Sequence, residues 1–522
     1  MTIIDFTGNT KPLRHTWSNC VGAGRANEGL RADWQSHLKE AVSCCGFQYL
    51  RFHGLLHDDM HVYRLINGID TYNFQYVDSL FDAMLNIGIK PFVELGFMPK
   101  DMASTEATQF WWKANVAPPK DLTKWGELVR KLISHWVERY SIKEVKTWYF
   151  EVWNEPNLSA FWDGSKSQYF ELYKVTVNAI KSIEPSLRVG GPATSNFVPD
   201  TRFDGETEDI LAHATLKTDD IDSLSWKGVW ISDFLNYCQD NHLAIDFISC
   251  HPYPTDFALD GHGEYKGHTR KSDSTREDIE WIHKLIKGSA YKNAEIHLTE
   301  WSSSPSSRDY SHDYLPAATY VMKTNLSVCD RVDSLSYWAF TDVFEEMGAG
   351  PKAFHGGFGM ITLQGVKKPT FYAFQFLNEL GDYEIYRDDG YLITKTNDNK
   401  LSGVFYNYPK KYTGAVAMSM YPNRSITKEM QNIESNRIFD ITVENVKPST
   451  CYLLEVLDKD HGVAIDLWEK MGCPCSPNHT QTKELIQYAE THKFIHFISD
   501  EKGRLILHFK LSAWTISLLK EV

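Results

Sequence analysis

Residues 148–158 read WYFEVWNEPNL. Aromatic and apolar residues fill the run, and Asn154-Glu155-Pro156 stops it, which is the pattern of a buried strand with an abrupt end. At the two-residue strand period Tyr149, Glu151, Trp153 and Glu155 fall on one face. A carboxylate at the end of such a strand needs a reason, because half-burying it costs free energy unless it is paired or used.

On both sides of this stretch, short apolar runs alternate with helical patterns, the signature of βα units on a parallel sheet. Upstream, strands are expected at 17–21, 49–56 and 90–95, with helices at 31–44, 76–88 and 122–140. Gly88 stops the second helix. Downstream, helical patterns at 169–183, 230–239, 275–286, 317–328 and 369–380 alternate with strands at 188–193, 247–254, 295–301 and 335–340. A polar insert at 196–225 interrupts the series. Eight such repeats over about 350 residues predict an α/β fold, a TIM (β/α)8 barrel.

After Gly381 the texture changes. Segments such as YLITKTNDNKLSGVFYNYP and RLILHFKLSAWTISLLK alternate apolar and polar residues between Asn, Asp and Gly turns. This predicts antiparallel strands with one wet face, a β-sandwich, with short helices at 464–471 and 482–491. The expected division is a catalytic barrel over 14–381. Residues 1–13 join 382–522 in the accessory sandwich domain.

Composition narrows the function classes. The chain has 522 residues, 42% hydrophobic and 23% charged, as globular proteins do. A net charge of −14 with no basic run argues against nucleic acid. No apolar stretch is long enough to span a membrane, and the N-terminus lacks the pattern of a signal peptide. Nine scattered cysteines lack zinc-ligand spacing and fit reduced thiols, so a cytoplasmic protein without a metal is expected.

Active sites of such barrels lie at the C-terminal ends of the strands. Those ends carry His53, Glu94, Asn154, Glu155, His251, Tyr253, Glu300 and Trp338. These form an acid–base set that needs no cofactor. Glycoside hydrolysis asks for one carboxylic acid to protonate the leaving oxygen and one carboxylate to attack or to activate water. Glu155 and Glu300 are the natural pair: Glu300 ends HLTEW as Glu155 ends VWNE, with Ile296, Leu298 and Glu300 on one face. Glu94 and Glu151 are rivals. Glu151, four residues earlier, should point into the lower barrel and make a structural hydrogen bond.

The ordered set LRFHGLLHDDM (50–60), FEVWNEPNL, CHPYP (250–254), HLTEW, YWAFTDVFEE (337–346), HGGFGM (355–360) and KPTFYAF (368–374) resembles glycoside hydrolase family 39, in particular its bacterial β-xylosidases. The resemblance covers most of the chain. It implies Glu155 as acid/base and Glu300 as nucleophile in a retaining double displacement, with the carboxyl groups roughly 5–5.5 Å apart. It supports contacts of Asn154 to the hydroxyl beside the reacting carbon, of Tyr253 to Glu300, and of His53 and His251 to ring hydroxyls. Trp338 is the expected stacking floor, and Glu346, or Glu345 beside it, the ligand of glycone hydroxyls. The substrate implied is a xylo-oligosaccharide cut from its non-reducing end, and the implied assembly is a homotetramer. The segment after the nucleophile, EWSSSPSSRDY, departs from the Asn- and Tyr-containing stretch of many xylosidases and bears on substrate preference. An α-L-iduronidase-like enzyme, or another glycosidase such as an arabinosidase or galactosidase, is the alternative on the same barrel. A uronate would need a cation at its carboxylate, for which Arg51 is the one basic residue at a strand end. A non-catalytic carbohydrate-binding barrel is disfavoured by the presence of both glutamates.

Overall fold

A computed structural model of the chain describes residues 2–158, 160–195, 230–259, 265–417 and 423–522. The insert expected at 196–225 lies outside them. Eight parallel strands close a barrel in sequence order: β1 (Cys20–Arg25), β2 (Tyr49–His53), β3 (Lys90–Leu95), β4 (Tyr149–Val152), β5 (Arg188–Ser195), β6 (Phe247–His251), β7 (Glu295–Trp301) and β8 (Ser334–Tyr337). Helices follow the strands and pack outside: α1 (Ala32–Cys45), α2 (Gln75–Ile87), α3 (Leu122–Tyr140), α4 (Lys166–Ile183), α5 (Ile231–Asp240), α6 (Ser274–Lys287), α7 (Leu315–Val328) and α8 (Pro369–Asn378). Their ends obey local rules. Asp121 caps α3 by accepting from Thr123 and Lys124 amides, and Ser165 with Gln168 forms a capping box on α4. Gly88 ends α2 at φ 99°, a conformation open to glycine because it has no Cβ.

Strand alternation stacks the barrel interior in layers. The lowest is aromatic: Phe92 stacks on Tyr149 at 4.7 Å, and Phe247 and His297 meet both edge-on. Two residues further along β2, β3, β4 and β7 stand Arg51, Glu94, Glu151 and Thr299, a buried polar layer. The site rests on this layer.

Several strand expectations shift: β2 ends at His53 rather than at Leu56, and β6 at His251 rather than at Pro254. β1 begins at Cys20 rather than at Trp17, because Thr16–Ser18 form a 3-10 turn that buries Trp17. Gly22 and Gly24, beyond the expected end at Val21, lie inside the strand, and a Cβ on Gly22 would collide with the Trp338 ring. β8 ends at Tyr337 rather than at Phe340.

Beyond α8, a three-stranded sheet (Thr2–Asp5, Asn436–Glu444, Leu505–Ser512) faces a seven-stranded one. The N-terminal residues contribute to both: Thr2–Asp5 pairs parallel with Ile441–Glu444, and Lys11–Pro12 pairs with Tyr383 and Glu384. Ile4, Ile393, Phe405, Phe439, Leu454, Leu507 and Leu519 fill the core between the sheets. This unit also packs on the barrel. Trp468 and Trp514 join the barrel's own hydrophobic cluster, and Tyr314 donates to Glu469 at 2.9 Å. Helix α7 is therefore covered on both sides, which explains why LPAATYVM has no polar face.

Candidate active site

The regular alternation of the strands breaks at the barrel rim, and the breaks place the chemistry. β4 ends at Val152, so Glu155 does not reach the site as the last residue of a strand face. Trp153 (φ 72°) and Glu155 (φ 44°) are left-handed, a conformation that costs on the order of 1–3 kcal/mol per non-glycine residue. Trp153 turns outward against Trp162 and Phe97. The Glu155 amide donates to the Ala193 carbonyl of β5 at 2.9 Å, which anchors the turn. On β7 the expected face of Ile296, Leu298 and Glu300 is also broken. Ile296 and Leu298 pack in the outer core, whereas His297 and Thr299 point inward. A register shift between Leu298 and Trp301 then swings Glu300 in beside Thr299. Bulges re-aim side chains in this way.

One carboxylate oxygen of Glu155, one of Glu300 and a ring nitrogen of His251 lie within 4.8 Å of one another. Glu155 and Glu300 are 5% and 8% exposed, so each touches the opening with little solvation. Tyr253 donates its hydroxyl to Glu300 Oε1 at 2.5 Å, and Arg51 Nη1 reaches Oε2 at 3.4 Å. Glu155 Oε1 faces His251 Nδ1 at 3.0 Å. Burial pushes the Glu155 carboxyl up to about 7, against the opposing pull of the Ser195 hydroxyl. Burial raises Glu300 as well. Two neighbouring carboxyls in one low-dielectric site hold one proton between them. The guanidinium and phenol favour charge on Glu300, so the proton resides on Glu155.

Arg51 organises the polar layer beneath. Fully buried, it donates to Glu151 at 2.6 Å and to Asn154 Oδ1 at 2.7 Å, and it pairs with Glu94 at 3.0 Å. This removes both rivals from the pair. Glu151 takes Arg51 on one oxygen and the Thr299 hydroxyl on the other, at 2.7 Å. Glu94 takes Arg51 and His53 Nδ1, the latter at 2.6 Å. Arg51 itself is engaged throughout and offers no free cation to a ligand carboxylate.

The remaining expected residues divide. His53 Nε2 faces the opening, 3.8 Å from Glu300 and 3.7 Å from Glu346. Asn154 Nδ2 is a buried donor without a partner among the described residues, an arrangement suited to a ligand hydroxyl. Trp338 lies over Arg51 and against His53, with ring centroids 4.6 Å apart. His251 differs from expectation. It is fully buried, and Glu155 and Thr299 take its two nitrogens, each at 3.0 Å, leaving neither for a sugar hydroxyl. Of the two adjacent acids, Glu345 is held by Arg25 at 3.1 Å and Arg31 at 3.3 Å, while Glu346 looks into the site. Burial raises Glu346 well above the usual carboxylate range.

Thr299 and Lys368 were not singled out in the sequence, and Arg51 was noted there only as a possible partner for a uronate. Thr299 and Arg51 sit one inward position below the site. Lys368, fully buried, binds Asp313 and Asp342 at 2.8 Å each and the Gly357 carbonyl at 2.9 Å. These aspartates accept from the Gly356 and Gly359 amides, so the cluster braces the glycine-rich segment 355–359 next to the loop that carries Glu346.

The sequence matches the family model for glycosyl hydrolases family 39 over residues 2–505. It is 35% identical over 530 aligned positions to a beta-xylosidase of Geobacillus stearothermophilus, covering 100% of this chain and 95% of that protein. A beta-xylosidase of Caldicellulosiruptor saccharolyticus is 36% identical over 499 positions, covering 94% and 91%. Among solved structures, a monomeric beta-xylosidase from Caulobacter crescentus CB15 superposes with a TM-score of 0.84 at 29% identity, over 100% of this chain and 99% of that one.

Proposed function

This chain belongs to glycosyl hydrolases family 39 and is a glycoside hydrolase, and from that footing we propose that it is a retaining, exo-acting β-1,4-xylosidase that releases xylose from the non-reducing end of xylo-oligosaccharides. The observation that carries the retaining mechanism is the approach of Glu155 and Glu300 oxygens to within 4.8 Å. Inverting enzymes hold their carboxyls roughly 6.5–9.5 Å apart to seat a water, and retaining enzymes hold them at about 5–5.5 Å.

In the first step Glu300 attacks the anomeric carbon, and the proton of Glu155 goes to the departing oxygen. The resulting ester removes the negative charge from Glu300, which lowers the proton affinity of Glu155. In the second step Glu155, now ionised, takes a proton from water as that water displaces Glu300, which restores both groups. Asn154 Nδ2 supplies the donor for the hydroxyl next to the reacting carbon. Trp338 forms the floor, and Glu346 and His53 Nε2 meet the glycone hydroxyls. Ion pairs of Arg25 with Asp59 and Glu345 tie together the loops after β1, β2 and β8, on the side of the barrel away from Glu155. Loops tied together on that side support exo action, since the leaving group departs on the Glu155 side. Arg51, bound by Glu94, Glu151, Asn154 and Glu300, is not available as the cation for a uronate.

Proton NMR of the first turnovers on xylotriose tests the reading. Xylobiose and β-xylose should form first, with α-xylose only by later mutarotation. Initial α-xylose would refute retention, and the absence of xylose would refute the substrate.

A further inference from the structure

Below the catalytic pair runs a chain of hydrogen bonds in which each donor has one available direction. Glu151 accepts twice, from Arg51 Nε at 2.6 Å and from Thr299 Oγ1 at 2.7 Å. A hydroxyl has one proton, and that of Thr299 is committed to Glu151. The contact of 3.0 Å between Thr299 Oγ1 and His251 Nε2 must then be donated by the imidazole. A neutral imidazole with its proton on Nε2 has a bare lone pair on Nδ1. That lone pair faces Glu155 Oε1 at 3.0 Å, so the proton in this contact belongs to Glu155.

We propose that Thr299 is a positioning residue for the acid/base: through His251 it fixes the imidazole tautomer that keeps a proton on Glu155 in the resting enzyme and makes the ionised Glu155 a stronger base in the second step. This deepens, and rests on, the reading of Glu155 as acid/base. With Nδ1 bare, His251 gives no hydrogen bond to a Glu155 carboxylate, so the charged form loses a donor and the protonated form gains an acceptor. The neutrality of His251 fits its surroundings, since burial pushes its imidazole down to about 3. The groups facing it are Glu155, Glu300 (3.8 Å from Nδ1) and Thr299, with Arg51, Glu151 and His53 beyond. Those acting on Glu155 are the Ser195 hydroxyl, His251, His53, Arg51, Glu94, Glu300, Tyr253 and Glu346. None of them replaces the constraint that Thr299 imposes on Nε2.

Thr299→Val keeps the shape and removes the hydroxyl. The imidazole is then free to carry its proton on Nδ1 and donate to ionised Glu155. The basic limb of the kcat/KM profile should move to lower pH by about one unit, a tenfold loss of proton affinity, while Thr299→Ser should keep the wild-type limb. A neutron crystal structure of the free wild-type enzyme at pH 6 should place deuterium on His251 Nε2 and on Glu155. Deuterium on Nδ1 instead, or an unmoved basic limb in a folded Thr299→Val, would overturn the proposal. A failure of the acid/base reading itself would show elsewhere: Glu155→Ala would slow poor and activated aryl leaving groups equally, whereas the tautomer of the resting enzyme is read without turnover.

Discussion

Replacing Glu155 by Gln should make the protein more stable, and the gain should grow with pH. In the unfolded chain the carboxyl releases its proton near 4.5, whereas in the folded protein burial holds it to about 7. Between those values the folded state binds more protons than the unfolded state, so stability falls as pH rises. Relative to a neutral side chain of the same shape, the glutamate costs about 1 kcal/mol at pH 5 and about 3 kcal/mol at pH 8, by linkage from that shift. Glutamine is close to such a reference, because its amide can donate to the bare His251 Nδ1 as the protonated acid does. Glu28, which burial pushes up to about 8, costs stability with the same sign but is common to both proteins and cancels in the difference; Glu300 and Glu346, which the Glu155 charge helps to raise, are relieved of it in the variant, and this adds to the gain at high pH. Thermal denaturation of wild type and Glu155→Gln at pH 5 and pH 8 measures the effect. The variant should melt higher at both values, with the larger gap at pH 8 and with activity lost. An equal gap at the two pH values would show that the carboxyl is not held protonated by the fold, and the account of the acid would fall with it.

Glu300→Ala should abolish turnover of aryl xylosides, and azide should restore it in part while producing the inverted glycosyl azide, identified by NMR; normal hydrolysis by this variant would end the nucleophile assignment. Arg51→Leu leaves Glu94, Glu151 and Glu300 without their shared cation, and breaking a buried ion pair from one side costs about 3–5 kcal/mol. Its melting temperature should drop sharply at pH 8 and recover in part at pH 5, where the carboxyls can protonate, and an unchanged melt would contradict the role given to Arg51.

The barrel was legible because its signals are local and repeated. Apolar runs alternate with amphipathic helices, and Gly88 marks an end by its own conformational preference. Glu155 and Glu300, the proposed pair, stood out for a different reason. Two glutamates end apolar strands where nothing nearby in sequence pairs them, and the expense of burying them points to use. The step from pair to geometry was not legible. The period-two argument aimed Glu300 by the side of Leu298, yet Leu298 faces the outer core and a bulge brings Glu300 inward. It also carried β4 through to Glu155, where the chain in fact turns at Trp153. Strand periodicity describes backbones satisfied by their neighbours in the sheet, and at the rim those neighbours end.

Arg51 and Thr299 mark a second limit. Each sits at an inward strand position where pattern alone predicts a filler of the barrel, and each acts through partners on other strands, namely Glu94 on β3, Glu151 on β4 and His251 on β6. A cation at a strand end invites the reading that it awaits an anionic ligand, but whether a charge is available depends on the carboxylates that the fold brings to it. Here β3, β4 and β7 bring three. That surplus of negative charge sets the chemistry. One guanidinium shared among three glutamates, with a fourth at the rim facing a neutral imidazole, leaves Glu155 as the carboxyl of these four with the weakest claim on a cation, and therefore as the one among them that keeps the proton.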